Sequence, residues 1–272
     1  PHAAGLAAVR QAARSALLVA PVWFAANCTY NYSMSMTSIS SSTVISSSSA
    51  AFTLLLSAMW LRERVTGLKL LGVALCWLGN GLTAIDDDAA PAHNASGIPG
   101  AANASGSGGD EHGATFRGDV ICLLSAVLYA LYTVMIRKLE PPDLSLFFGF
   151  LGISTFVLFG PAVVVLHLTG AESLATLTPA VFSLILLKGL VDNVLSDYLW
   201  AAAVLLTSPS VATVGMSLTV PLAMISDVAL PREWLVDPAS PTIFSVCAAL
   251  AVVAGFVAIT AAGDGSDAGS DD

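Results

Sequence analysis

The chain has 272 residues, of which 56% are hydrophobic and only 11% are charged. A soluble domain uses roughly a quarter of its residues as charges to cover its surface, so this composition excludes an ordinary water-soluble protein. The net charge of −9 concentrates in two acidic segments, Asp86–Glu111 and Asp264–Asp272, and no Lys/Arg cluster is present, which excludes a nucleic-acid partner.

Eight apolar stretches are each long enough to cross a membrane. A bilayer core is about 30 Å thick, so a spanning helix needs about 20 mostly apolar residues. Alternating polarity is absent, and backbone groups must be satisfied within the lipid, so the predicted fold class is an all-α, polytopic membrane bundle. The predicted spans are Ser15–Tyr32, Ser40–Leu61, Leu68–Ile85, Val120–Ile136, Leu144–Leu168, Val181–Leu206, Val211–Leu230 and Ile243–Ala262.

The basic residues that flank the spans predict the orientation, because positive loops stay on the cytoplasmic side. With alternating spans, only Arg117 and Arg232 fall on the opposite side, and Lys188 lies inside a span. Both termini are therefore predicted to be cytoplasmic. The residues on the predicted cytoplasmic side are Arg10, Arg14, Arg62, Arg64, Lys69, Arg137 and Lys138.

Residues 86–118 separate the third and fourth spans and face outward or into a lumen in this topology. They are rich in Ala, Gly, Ser, Asn and Pro, which predicts a disordered loop. Two triplets with the N-glycosylation sequence begin at Asn94 and Asn103. Glycosylation at these asparagines is predicted, and the alternative is that the triplets arise by chance in this composition.

Two parts of the chain align without a gap when one is shifted by 170 residues, which predicts an internal duplication. The matches lie in one register, so they reinforce one another. They are Ser38-x-Ser40-x-x-Thr43-Val44 with Ser208-x-Ser210-x-x-Thr213-Val214, Arg62-Glu63 with Arg232-Glu233, Asn27 with Asp197, and Tyr30 with Trp200.

The two copies are predicted to be inverted, because the basic turn at Arg62 and the acidic turn at Arg232 fall on opposite sides. Inverted repeats are typical of secondary transporters, whose substrate site lies near the midplane between the halves. The second half has five predicted spans and the first has three, so two further helices are expected before Pro1, giving ten in the intact protein. The predicted parts are a first repeat (1–85), a lumenal loop (86–118), a second repeat (119–262) and an acidic cytoplasmic tail (263–272).

The sixth span carries a polar arc at predicted membrane depth. Charges there cost about 2.5–3.5 kcal/mol on insertion scales, so they need a partner or a watery cavity. Lys188 and Asp192 lie one turn apart and can pair, while Asn193, Ser196 and Asp197 extend the arc about halfway round the helix. The hypothesis places this arc on the substrate or proton pathway. The alternative is a Lys188–Asp192 pair that only fixes helix packing.

Other polar residues divide between the pathway and packing. On the first span, Asn27, Tyr30 and Asn31 are pathway candidates, since Asn27 aligns with Asp197 in the repeat. For the serine-rich second span, close helix packing is favoured over a place on the pathway, because small residues let helices approach. The residues with a predicted structural role are Ser42, Ser46, Ser49, Glu63, Gly72, Gly79 and Pro221.

Several segments carry a family resemblance. Trp23–Gly79, with Glu63 and the two glycines Gly72 and Gly79, resembles the EamA-like drug/metabolite transporter superfamily. The resemblance implies a ten-helix inverted-repeat fold and a transport role but no particular substrate, although related branches carry nucleotide sugars. The segments that resemble the F-type branch of solute carrier family 35 are Leu146–Phe150 (LFFGF), Leu166–Gly170, Gly189–Trp200, Leu206–Ser208 and Ser217–Leu222.

The predicted function is therefore transport of a small solute, such as a nucleotide sugar or another organic anion or metabolite, by a secondary carrier. The chain has no His-Glu-x-x-His motif and no phosphate-cradling glycine loop, so it is predicted not to be an enzyme and to need neither cofactor nor metal. A non-transporting scaffold or receptor of the same fold is the alternative. The predicted location is an endomembrane, Golgi or vacuole, and a homodimer is left open.

Overall fold

The computed structural model describes residues 2–37, 39–89, 111–170, 178–229 and 242–267. These residues form helices and contain no strand, which confirms the predicted all-α fold class. A π-helical segment, Gly189–Leu195, and a 3-10 segment, Met216–Leu218, each connect two of these α-helices. The helices are α1 His2–Met34, α2 Ile39–Ser47, α3 Ser49–Trp60, α4 Gly67–Ala89, α5 Glu111–Leu139, α6 Leu144–Leu168, α7 Pro179–Lys188, α8 Ser196–Leu206, α9 Pro209–Gly215, α10 Thr219–Ala229 and α11 Ile243–Asp267.

Seven helical segments of the described chain are long and apolar enough to cross a membrane. The protein is therefore a polytopic membrane protein, and seven of the eight predicted spans coincide with these segments. The remaining predicted span, Ser15–Tyr32, is helical within α1 but is more polar, because it includes Asn27 and Asn31. Membrane crossing by this segment stays a prediction.

Helices extend into both ends of the segment that was predicted to be a disordered loop. Helix α4 continues to Ala89, and α5 already begins at Glu111 rather than after residue 118. Residues 90–110, with Asn94 and Asn103, lie outside the described residues.

The chain divides into two compact units, residues 1–25 with 132–208 and residues 26–131 with 209–272. In the first unit, apolar side chains of α6 and α7 such as Ile153, Phe156 and Leu184 are exposed. Lipid tails are as apolar as leucine, so such surfaces are satisfied in a bilayer. The exposed apolar surface of α6 and α7 is therefore typical of membrane helices and not of helices in a water-soluble protein.

In the second unit, α4 and α11 pack closely and run antiparallel. A Cβ atom built at Gly72 would lie 2.7 Å from the carbonyl oxygen of Gly255, and one at Gly79 would lie 2.6 Å from Cγ2 of Val252. Early residues of α4 thus contact late residues of α11. Glycine at these positions lets the two backbones approach, as in other membrane helix pairs.

The same two helices contribute to the apolar core of the second unit. Helix α3 supplies Leu54, α9 supplies Val214, and Val73, Val252 and Ile259 come from α4 and α11. The core therefore combines helices from both halves of the sequence.

The start points of four helices repeat at the spacing that the sequence predicts. Helices α2 and α9 begin at positions 39 and 209, and α3 and α10 begin at positions 49 and 219. Pro221 accounts for the second interruption, because it cannot donate to the carbonyl of Ser217 and its ring crowds that carbonyl. At the first interruption the N–H of Ser48 donates to the carbonyl of Ile45, a 3-10 type bond. This correspondence supports the predicted duplication, which stays a prediction.

Candidate functional site

The predicted polar arc lies where α7 changes into the π-helical segment. Lys188, Asn193 and Ser196 are exposed, and Asp197 is half-buried at the start of α8. The side chain of Asp192 lies outside what the structure describes, so the predicted Lys188–Asp192 pair stays a prediction. A π-helical turn shifts the register of the side chains after it, and such turns occur frequently at functional sites.

Asp197 has an identified partner within the first unit. The indole Nε1 of Trp23 donates a hydrogen bond of 3.0 Å to Oδ2 of Asp197. Two aromatic residues follow Asp197 on α8: Trp200 stacks on Tyr132 at 5.2 Å between ring centroids, and the ring of Tyr198 lies 6.0 Å from that of Phe148. A half-buried carboxylate beside aromatic rings can hold a charged or hydrogen-bonding group while the rings contact its apolar part.

The pathway candidates of α1 have local partners. The side-chain amide of Asn31 donates to the backbone carbonyl of Asn27 at 2.8 Å, and both side chains are exposed. Tyr30 is half-buried, and its carbonyl accepts from the hydroxyl of Ser33 at 2.7 Å. The amide of Asn31 is thus satisfied inside its own helix.

Asp119 is a polar centre that the sequence analysis missed. Its Oδ1 accepts hydrogen bonds from the hydroxyls of Thr37 at 2.5 Å and Ser41 at 2.9 Å. A Cβ atom built at Gly118 would lie 2.9 Å from Met36, so the connection between α1 and α2 rests directly on α5. The sequence offered one signal of this contact: Asp119 is an acidic residue immediately before the apolar span at Val120, in a chain that also contains a serine-rich helix.

The serine-rich second span forms hydrogen bonds within its own helix and with α5. Ser42 is buried, and its backbone carbonyl accepts from the thiol of Cys122. The hydroxyl of Ser46 donates back to the carbonyl of Thr43, and Ser49 is half-buried. Hydroxyls that bond to their own helix need no other partner in the lipid, which supports the packing interpretation.

Glu63 joins two parts of the second unit. Its Oε1 accepts from Nζ of Lys69 at 2.6 Å, and its Oε2 accepts from the hydroxyl of Ser210 at 3.4 Å. The side chain of Lys69 is only 3% exposed and that of Glu63 is 17% exposed. The sequence places Lys69 on the predicted cytoplasmic side but does not predict its burial, and the structure buries it as the ion-pair partner of Glu63.

A second polar contact links α4 to the 3-10 segment. The side-chain amide of Asn80 donates to the hydroxyl of Ser217 at 3.2 Å, and Asn80 is buried. Ser217 stands four residues before Pro221, so the contact lies at the irregular turn that this proline imposes. Among the residues that the structure describes, no group of three or more His, Cys, Asp or Glu is placed to hold a metal ion.

Comparison with known proteins gives several similar sequences. The profile of the EamA-like transporter family matches residues 7–85. An uncharacterized transporter of Schizosaccharomyces pombe is 32% identical over 92% of this chain and 69% of its own length. Solute carrier family 35 member F5 of Bos taurus is 33% identical over 83% of this chain but 41% of its own length. A thiamine-repressible mitochondrial transport protein of Saccharomyces cerevisiae is 31% identical over 80% of this chain and 56% of its own length.

Proposed function

The chain belongs to the EamA-like transporter family, and we propose that it forms part of a secondary carrier that moves a small organic solute by alternating access. The chain spans about half the length of several relatives that it matches, so the activity is proposed for the protein that contains it. The carrier works by exchange or by proton coupling, and no catalysed reaction is part of the proposal.

The main support for the proposal is that two helical segments are interrupted at matching positions. Helices α2–α3 and α9–α10 are interrupted at matching positions, 170 residues apart, and α4 packs antiparallel to α11 through Gly72 and Gly79. Alternating access uses discontinuous helices beside a site between two inverted halves. The arrangement in the second unit supports such a mechanism.

The proposed pathway residues combine a charge with hydrogen-bonding groups. Asp197, held by Trp23, is the proposed centre, and the exposed residues Lys188, Asn193 and Ser196 precede it in α7, the π-helical segment and the start of α8. Ionisable residues within membrane spans typically mark substrate or proton pathways. Lys188 suits an anionic solute, such as a nucleotide sugar or another organic anion.

The proposed location is an endomembrane, Golgi or vacuole, although the name of the thiamine-repressible relative of Saccharomyces cerevisiae places that protein in mitochondria. Immunolocalisation of the full-length protein with markers for all three compartments tests this part of the proposal. Mitochondrial staining would contradict it.

Uptake into proteoliposomes tests the transport proposal itself. The full-length protein is reconstituted and assayed with nucleotide sugars, vitamins and organic anions, with and without a pH gradient. Saturable flux of one solute that falls in the Asp197→Asn variant is the expected result. Normal insertion with no flux of any solute would favour a non-transporting scaffold or receptor.

A further inference from the structure

A groove of about 650 Å³ runs along the first half of α1 in the first unit. Its α1 wall carries Leu6, Arg10, Arg14 and Leu18, and Leu139 at the end of α5 lies on the other side. The four α1 residues are spaced by four, so they form one stripe about 18 Å long. The two arginines occupy its middle and the leucines its ends.

The two arginines bring like charges close together. Residues at i and i+4 on a helix are neighbours, and like charges there repel by a few tenths of a kcal/mol. Both side chains are exposed, and neither forms an ion pair with a carboxylate of the described residues. By contrast, Arg137 near the same end of α5 donates to the backbone carbonyl of Leu205. An anion in the groove would relieve this repulsion.

The apolar residues of the groove favour one kind of anion. Leu6 is 65% exposed and Leu18 is 58% exposed, and they lie on either side of the arginine pair. Leu18 belongs to the predicted span Ser15–Tyr32, whereas Arg10 and Arg14 precede it, so the stripe crosses the predicted membrane interface. A lipid offers a phosphate at headgroup depth and apolar acyl carbons beside it.

We propose that this groove binds the phosphate of an anionic phospholipid, with the guanidinium groups of Arg10 and Arg14 as the charged contacts. Arginine suits the task because its planar fork donates two parallel hydrogen bonds to phosphate oxygens. Gln11 supplies a further donor within the groove. The group that the arginines bind is a phosphate ester, and it belongs to a lipid in the membrane leaflet at the arginine end of α1.

Thermal unfolding of the full-length protein in neutral detergent tests the proposal. Phosphatidylserine or phosphatidylinositol phosphate, added well above its dissociation constant, is expected to raise the Tm by about 5 °C, whereas phosphatidylcholine leaves it unchanged. Inorganic phosphate and glycerol 3-phosphate form a third arm. The wild-type protein alone can overturn the proposal. It would do so if the soluble phosphates, or phosphatidylcholine, raised the Tm as much as the anionic lipids do.

Substitutions of the two arginines test whether the lipid-induced rise in Tm arises at the groove. Arg10→Gln/Arg14→Gln is expected to lose at least half of the lipid-induced shift, and Arg10→Lys/Arg14→Lys is expected to keep more of it than the glutamine variant. Arg64→Gln is the matched control, since Arg64 is also an exposed arginine but is not one of the residues that line the groove. An undiminished shift in the glutamine double variant would refute binding at the groove.

Discussion

Trp23 and Asp197 are 174 residues apart in the sequence, and the indole of the first donates a 3.0 Å hydrogen bond to the carboxylate of the second. An ionised carboxylate inside a membrane is energetically costly unless it has a partner, and this hydrogen bond supplies one. It also allows two roles for Asp197, a pathway charge or an anchor between α1 and α8.

Substitutions at the two residues separate these roles. Asp197→Asn keeps an acceptor for the indole but removes the charge, so we expect a Tm close to wild type and a loss of solute flux of about tenfold or more. Trp23→Phe removes the donor and is expected to cost about 1.5 kcal/mol of stability. Tm in detergent and flux in liposomes are the two measurements. Trp77→Phe, at an exposed tryptophan of α4, is the control. Normal flux in a folded Asp197→Asn protein would leave Asp197 as an anchor only.

Glycine-mediated packing of α4 against α11 predicts different effects at two neighbouring glycines. In Gly79→Ala the new methyl group would meet Val252 and the carbonyl of Ala248, so we expect a loss of about 1–3 kcal/mol. Gly81→Ala meets no described atom within 4 Å and is expected to be neutral or stabilising by up to about 1 kcal/mol. Tm values of the two variants in the same detergent make the comparison. Equal destabilisation by both would contradict the close approach at Gly79.

The ion pair of Glu63 and Lys69 predicts a non-additive double mutant. Lys69→Met leaves a largely buried carboxylate without its cation and is expected to cost about 3–5 kcal/mol. Adding Glu63→Gln removes the unpaired charge, so the double variant should recover much of the loss. Arg64→Gln, at an exposed position of the same turn, should change stability by no more than about 0.5 kcal/mol. Strictly additive Tm changes would argue against the pair.

The predicted topology places Asn94 and Asn103 on the lumenal side. Glycosidase treatment of protein expressed in a eukaryotic cell should therefore increase the gel mobility of the wild type. An Asn94→Gln/Asn103→Gln variant should run at the deglycosylated position and not respond to the enzyme. Asn27→Gln, within the predicted first span, serves as the control and should leave the glycan shift intact. Epitope tags that place this segment in the cytoplasm would contradict the orientation.

The sequence by itself determined the class of the protein and most of its helices. Length and apolarity of a span are local properties, because each helix satisfies its own backbone in lipid, and seven predicted spans coincide with membrane-capable helices. A proline is a weaker local signal, because Pro221 follows the 3-10 segment whereas Pro21 and Pro161 lie inside uninterrupted α-helices.

Only the tertiary structure decided which polar groups meet. The pattern of one helix shows which residues share a face, but it does not show which neighbour that face contacts. The contact of Asp119 with Thr37 spans 82 residues, and that of Asp197 with Trp23 spans 174. The pair of Lys69 and Glu63 spans only six residues, but the contact that joins Glu63 to Ser210 spans 147. Such contacts depend on the path of the whole chain, which no local pattern of residues contains.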